Sequence, residues 1–184
     1  MAALNNARRV LCVCCDAEHR FSKLPCERIE ILAGFGVRGD AHAGKTVQHL
    51  SRVARDPTQP NLRQVHLIHS ELFDELSEHG FELAPGDLGE NITTRGIDLL
   101  NLGRDTLLRI GPDAVLSVTG LRNPCTQIER FSSGLLQHLA LKDGGGIVRK
   151  AGIMTVALSG GVIRPGDTIS IEPPEGPHIP LERV

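Results

Sequence analysis

Turn-forming residues interrupt this sequence so often that no long element has room to form. Twenty Gly and 11 Pro are spread over 184 residues, and many fall in groups such as Pro85-Gly86, Gly111-Pro112, Gly144-Gly145-Gly146 and Pro165-Gly166. Between them lie short apolar or alternating runs: Arg9 to Cys15, Glu27 to Leu32, Gln64 to Ile68, Glu90 to Arg95, Thr106 to Ile110, Ala114 to Thr119, Ile147 to Leu158 and Asp167 to Ile171. Runs of this kind bounded by Gly and Pro read as strands. Helical spacing is clearest at Glu71 to His79, where Leu72, Phe73 and Leu76 form an apolar stripe. Ser70 is its expected N-cap and Gly80 its expected stop. A second short helix is expected from Ser132 or Ser133 towards Leu141, and Gln48 to Pro60 reads as an irregular polar excursion. The pattern predicts a mostly β single domain with two or so short helices, a β-barrel or compact mixed-β fold rather than alternating βαβ units. Residues 1–172 make that domain; 173–184 are expected to be a peripheral, proline-rich tail.

Composition then removes whole classes of function. The formal net charge is −2 and the only aromatic residues are five Phe, so neither an electrostatic footprint nor a stacking platform for nucleic acid is expected. The longest mostly apolar segment, Ala151 to Ile163, is cut by Gly152, Ser159, Gly160 and Gly161; a bilayer-spanning helix needs about 20 residues. The run after Arg8 and Arg9 ends in Asp16 without a small-residue cleavage site, so a signal peptide is not expected. Five cysteines, an odd number, then suit reduced thiols in the cytoplasm. Cys12, Cys14, Cys15, His19 and Cys26 have a spacing that matches no usual pair of zinc knuckles. His66 and His69, three apart on a strand, point to opposite faces, and His66 belongs in or near the core.

Three places remain where chemistry can sit. Cys125 lies in Leu-Arg-Asn-Pro-Cys-Thr-Gln, a polar turn after a strand, whereas Cys12 and Cys14 lie in an apolar run. Pro124 stiffens the turn, and Arg122 is placed to favour the thiolate, the nucleophilic and metal-binding form. The alternative is an inert loop cysteine. In Gly39 to Gly44 (GDAHAG), Asp40 and His42 are two apart and share a side of an extended loop, while flanking glycines permit close approach of a ligand. The alternative is a tight turn whose polar groups satisfy its own backbone. In Pro85 to Gly96 (PGDLGENITTRG), Asn91, Thr93, Thr94 and Arg95 offer donors for an oxygen-rich or phosphorylated ligand. A capped turn leading into a solvated strand explains them equally well.

Together these segments resemble the MOSC domain, named for the C-terminal domain of molybdenum cofactor sulfurase. The resemblance rests on GFGVRGDAHAGKTVQH, LRQVHLI, PGDLGENITTRGIDL, VTGLRNPC and VRKAGIMTVALSGGVIRPGD, in that order from roughly Ser22 to Ile171, and points to the short stand-alone bacterial type. It implies a β-rich barrel that binds the molybdenum cofactor, a phosphorylated pterin whose dithiolene holds molybdenum. It places the family's characteristic cysteine at Cys125, either as a molybdenum ligand in a reductase of N-hydroxylated small molecules or as a persulfide carrier in cofactor sulfuration. Asp40, His42, Arg63, Asn91, Thr93, Arg95 and Arg122 become the expected cofactor-binding residues, with Lys45 nearby. The family's association with pyridoxal phosphate reflects larger members with an aminotransferase-like domain. That cofactor is not expected in a chain of this length, where Lys142 and Lys150 read as solvated. A reductase would need a separate electron donor, and a sulfur carrier a separate cysteine desulfurase. A different class of function, a ligand-sensing or interaction domain without metal, would have little use for Cys125, Asp40, His42 and Asn91 together.

Overall fold

The computed structural model describes residues 7–184. Its frame is an eight-stranded sheet built from β1 (Arg9–Cys15), β2 (Leu24–Cys26), β5 (Val65–His69), β6 (Ile92–Arg95), β7 (Leu107–Ile110), β8 (Ala114–Leu121), β11 (Ile153–Ser159) and β13 (Ile169–Glu172). The spatial order is β13-β7-β8-β11-β5-β6-β1-β2. All neighbours are antiparallel except β5 and β6, which are joined through the helix α2 (Glu71–Glu78). The sheet curls until the start of β1 meets the lead into β13. Val10 N donates to Asp167 O at 2.8 Å, Ile169 N to Arg8 O at 3.0 Å, and Arg9 and Thr168 form an isolated bridge. The result is barrel-like but not a closed ladder, because β2 occupies the other edge of β1. Pro25 suits that edge, where its missing N–H breaks no ladder bond.

Inside the curl lies the main core, with Val10, Val13, Val65, Leu67, Ile92, Leu108, Ile110, Leu116, Val118 and Ile153 all nearly or fully buried. A three-stranded sheet of β3 (Ile29–Leu32), β4 (Gly36–Val37) and β12 (Gly161–Ile163) adds Ile29, Ile31, Val37 and Ile163 to it. The expected second strand over Glu27 to Leu32 is β3 alone; β2 lies just before it and belongs to the eight-stranded sheet. The expected long strand over Ile147 to Leu158 is divided. Its first part, β10 (Gly146–Arg149), pairs with β9 (Ala140–Asp143) in an exposed hairpin, and the Gly144 break is the turn of that hairpin.

A second core lies under the helices, where Ile68 on β5 meets Leu72, Phe73 and Leu76 of α2. Ile128 of α3 (Thr126–Phe131) and Leu135 and Leu139 of α4 (Leu135–Leu139) complete it. Glu71 and Asp74 in the first turn of α2 suit the positive end of its dipole. Its far end closes with a Schellman pair: Gly80 N donates to Ser77 O at 2.9 Å and Phe81 N to Leu76 O at 3.0 Å, with Gly80 at φ +85°. Ser70 does not cap the helix as the sequence suggests. Its own backbone is already helical (φ −67°, ψ −19°), so its hydroxyl cannot reach back, and it accepts Arg95 Nη1 at 3.1 Å instead. The polar excursion contains a single helical turn, α1 (Leu50–Val53). Residues 173–184 run back over the barrel, where Leu121 N donates to Glu182 O at 2.7 Å, Arg104 N donates to Ile179 O at 2.9 Å and Leu181 packs on the main core.

Candidate functional site

Four loop segments meet at one cleft of about 500 Å³ beside the curled sheet: the β1–β2 loop, the polar excursion before β5, the turn before β6, and the corner after β8. Its architecture starts from Asp40, a buried carboxylate. Asp40 accepts Lys23 Nζ at 2.6 and 2.8 Å, Asn91 Nδ2 at 3.0 Å, and the backbone N–H groups of His42 at 2.9 Å and Asp16 at 3.3 Å. Burial alone would raise its pKa; the hydrogen bonding with His42 and the charge of Lys23 outweigh that and hold the carboxyl well below the usual range. Lys23 is buried in turn, and burial pulls its ammonium below the ordinary lysine value in spite of Asp40. The pair is thus a desolvated ion pair that fixes the β1–β2 loop to the glycine-rich loop.

Asn91 and Asn61 do the remaining fastening. Asn91 Nδ2 also donates to Cys14 O at 3.2 Å, and its Oδ1 accepts His66 N at 3.2 Å. Asn61 Nδ2 donates to His42 O at 2.9 Å and Gly44 O at 3.1 Å, while its Oδ1 accepts Arg63 N at 3.0 Å. Gly86 and Gly89, with φ +93° and +80°, let the turn before β6 lie directly on the carbonyls of Lys23 and Phe21, where any Cβ would collide. These contacts fasten the segments that wall the cleft to one another.

The groups that do face in are cationic, imidazole and thiol. No carboxylate is among the lining residues, whereas Arg20, Lys23, Arg52, Arg63 and Arg122 all are. Arg122 is half-buried, with its guanidinium carbon 5.6 Å from the Phe21 ring centroid, and its Nη1 is buried without a hydrogen-bond partner. Arg63 is half-buried and its Nε is likewise unpartnered. Burial, with Arg52 and Arg122 adding repulsion, lowers the Arg63 pKa to about 10, so the guanidinium stays charged at neutral pH. Burial lowers Arg122 too, while the nearby Cys125 and Glu90 favour its charged form. Leaving buried N–H groups unpaired is costly, and two of them in one cleft fit an anionic oxygen acceptor such as phosphate. Cys125 stands at the N-terminal boundary of α3 in extended backbone, half-buried, with Gln127 Oε1 at 3.5 Å from its Sγ. His42 Nδ1 lies 3.5 Å from Asp40 Oδ1, and its ring is flanked by His19 and His49 at centroid distances of 5.4 and 6.4 Å.

The structure thus brings His42, Arg63, Asn91, Arg122 and Cys125 into one cleft, with Asp40 beneath them. Thr93, Arg95 and Lys45 do not line it. Thr93 is buried and donates to Glu90 Oε1 at 3.0 Å. Arg95 turns to α2, with Nη1 2.6 Å from Asp74 Oδ2 and Nε 3.6 Å from Glu71 Oε1. Several cleft residues escaped the sequence reading, among them Arg20, Lys23, His49, Arg52, His66 and Asn61. His66 is buried as expected but also forms part of the cleft floor, donating from Nε2 to Ala151 O at 2.8 Å. Asn61 carried no signal beyond its position just before LRQVHLI.

The site is therefore a cleft in a curled β frame, lined by arginines and by one cysteine, Cys125, an arrangement suited to an anionic ligand. A family model, the MOSC domain, matches residues 38–170, and the chain belongs to that family, which is associated with binding of the molybdenum cofactor. The YuaD protein of Bacillus subtilis has the same fold, with a TM-score of 0.76 at 21% identity over 92% of this chain and 97% of that one. YiiM of Geobacillus stearothermophilus gives 0.62 at 17% identity, over 96% and 78%. YiiM of Escherichia coli gives 0.60 at 16% identity, over 93% and 73%. No curated protein matches the sequence at a significant level. No helix among the described residues is long and apolar enough to cross a membrane.

Proposed function

We propose that the cleft binds the molybdenum cofactor, with Arg63 and Arg122 on its phosphate and Cys125 as the protein's ligand to the metal. The observation that carries this reading is the pair of buried, unpartnered guanidinium N–H groups in the same cleft as Cys125. Among the described residues no group of three or more His, Cys, Asp and Glu is arranged to hold a metal, so a metal at Cys125 would take its other ligands from a cofactor. Bound there, the cofactor supplies a centre that takes up and releases two electrons.

The chain's own residues orient, neutralise and exclude water. Arg63 and Arg122 offset the phosphate charge in a partly desolvated cleft, where such hydrogen bonds are strong. Asp40 and Lys23 act as positioning residues, holding the glycine-rich loop that carries His42. His42, with Nδ1 towards Asp40, offers Nε2 as the atom that hands a proton into the cleft. The reaction that suits this set is reduction of an N-hydroxylated small molecule, which takes two electrons and two protons and leaves as the amine and water. The electrons come from a separate electron-donor protein in the cytoplasm.

Arg63→Gln tests the anion contact. Protein made in a cofactor-producing host should lose about tenfold in bound pterin, read by fluorescence after oxidative release, with its melting temperature within about 3 °C of wild type. Undiminished pterin in a folded variant would remove Arg63 from the site.

A further inference from the structure

The cysteines outside the cleft motif form a cluster that the cofactor reading does not use. Cys15 ends β1 and Cys26 ends β2, and in the antiparallel register Cys15 stands opposite Leu24 and Cys26 opposite Val13. The two cysteines therefore share a sheet face as diagonal neighbours, and their sulfurs are 2.9 Å apart. That is too long for a disulfide, about 2.05 Å, and too close for an ordinary sulfur contact. The chain between them is the β1–β2 loop, whose His19, Arg20, Phe21 and Lys23 form one wall of the cleft. Lys23 Nζ reaches Asp40 and its backbone N donates to Gly86 O at 2.9 Å. The thiol pair thus sits at the neck of the cleft wall.

We propose that Cys15 and Cys26 are a redox-active dithiol whose oxidation staples the β1–β2 loop and stiffens that wall of the cleft. The oxidant is a low-molecular-weight disulfide of the glutathione type. The Cys26 thiolate attacks one sulfur of the oxidant, forming a mixed disulfide and releasing one thiolate. The Cys15 thiolate then attacks Cys26 Sγ and expels the second. In sum, two protein thiols lose two electrons and two protons, and one small disulfide becomes two small thiols. Burial, followed by the contact with Cys26, pushes the Cys15 thiol up to about 12, which slows the closing step. The remaining pair cannot substitute. Cys12 and Cys14 lie two apart on one strand with sulfurs at 3.9 Å, and burial pushes Cys14 well above the ordinary thiol range.

The test is equilibration of the whole native chain with glutathione buffers of increasing oxidised fraction, acid quenching, and peptide mapping without reduction. The expected product is a cross-link between the tryptic peptides Val10–Arg20 and Leu24–Arg28, with fragmentation assigning Cys15 and a loss of about 2 Da from the intact chain. Native trypsin cleavage after Arg20 should slow at least about fivefold on oxidation. Cys26→Ser should abolish both effects and Cys12→Ser neither. Persistent free Cys15 and Cys26 in wild-type protein under fully oxidising buffer, judged by alkylation, would overturn the proposal, as would glutathione adducts that never close or a link through Cys12 or Cys14. Because the readout is thiol chemistry, it stands or falls separately from the molybdenum content of the cleft.

Discussion

Asp40 shows what single residues contribute here. Its carboxylate gathers donors from three separate segments, and its counter-ion Lys23 is itself out of water. Asp40→Asn keeps the shape but leaves the Lys23 ammonium buried without its partner, so it should cost about 3–5 kcal/mol of unfolding free energy at pH 7 by urea titration. The sign with pH follows from a carboxyl depressed by folding. Its contribution is present in full above the unfolded Asp value of about 3.9, and it is lost as pH falls from there towards the folded value. The stability gap between wild type and Asp40→Asn should therefore be constant from pH 7 to about 5 and narrow only in stronger acid. A gap that closes near neutrality would contradict the assignment. At this scale the loop GDAHAG stood out in the sequence, because Asp40, His42 and their glycines are neighbours there. The destination of Arg95 was not. Its partners Asp74 and Glu71 lie on a helix more than a turn away in sequence, and nothing in ITTR distinguishes a phosphate anchor from an ion pair on α2.

At the scale of elements, two cores divide the labour between frame and site support. The helices α2, α3 and α4 cover the outer side of β5, and Cys125 stands just before α3. Leu76 is fully buried in that second core. Leu76→Ala should cost about 2–5 kcal/mol by chemical denaturation. Because Leu76 does not line the cleft, cofactor content per folded chain should be retained. Loss of the cofactor from fully folded Leu76→Ala protein would show instead that the helical layer sets the cleft. The helix α2 was legible, since its stripe, its acidic first turn and its glycine stop agree with one another. The helix α3 was not, because TQIERF offers one buried residue, Ile128, and no capping side-chain bond. That β2 and β3, consecutive in the chain, join different sheets was hidden for a related reason: alternation records which side is buried, not which sheet a strand joins.

Across the whole molecule, the fold class followed from turn density, and the structure agrees, with the sheet curled and left open between β2 and β13. Electrostatics were less visible at this scale. A net charge of −2 conceals a cleft whose charged lining is entirely basic, because acidic residues are spent on surface pairs such as Glu30 with Arg38 and Glu172 with Arg109. The docking of residues 173–184 along Leu121 was equally unreadable, since backbone pairing of a proline-rich strip leaves no side-chain pattern. The central claim, that Cys125 holds molybdenum in this cleft, is tested most directly by elemental analysis. The protein would be purified without oxygen from a host that makes the cofactor, beside its Cys125→Ser variant. About one molybdenum is expected per wild-type chain and almost none in a variant of unchanged melting temperature. Equal molybdenum in both, or none in either with about 32 Da of added sulfur on Cys125, would contradict it, the latter in favour of a sulfur carrier.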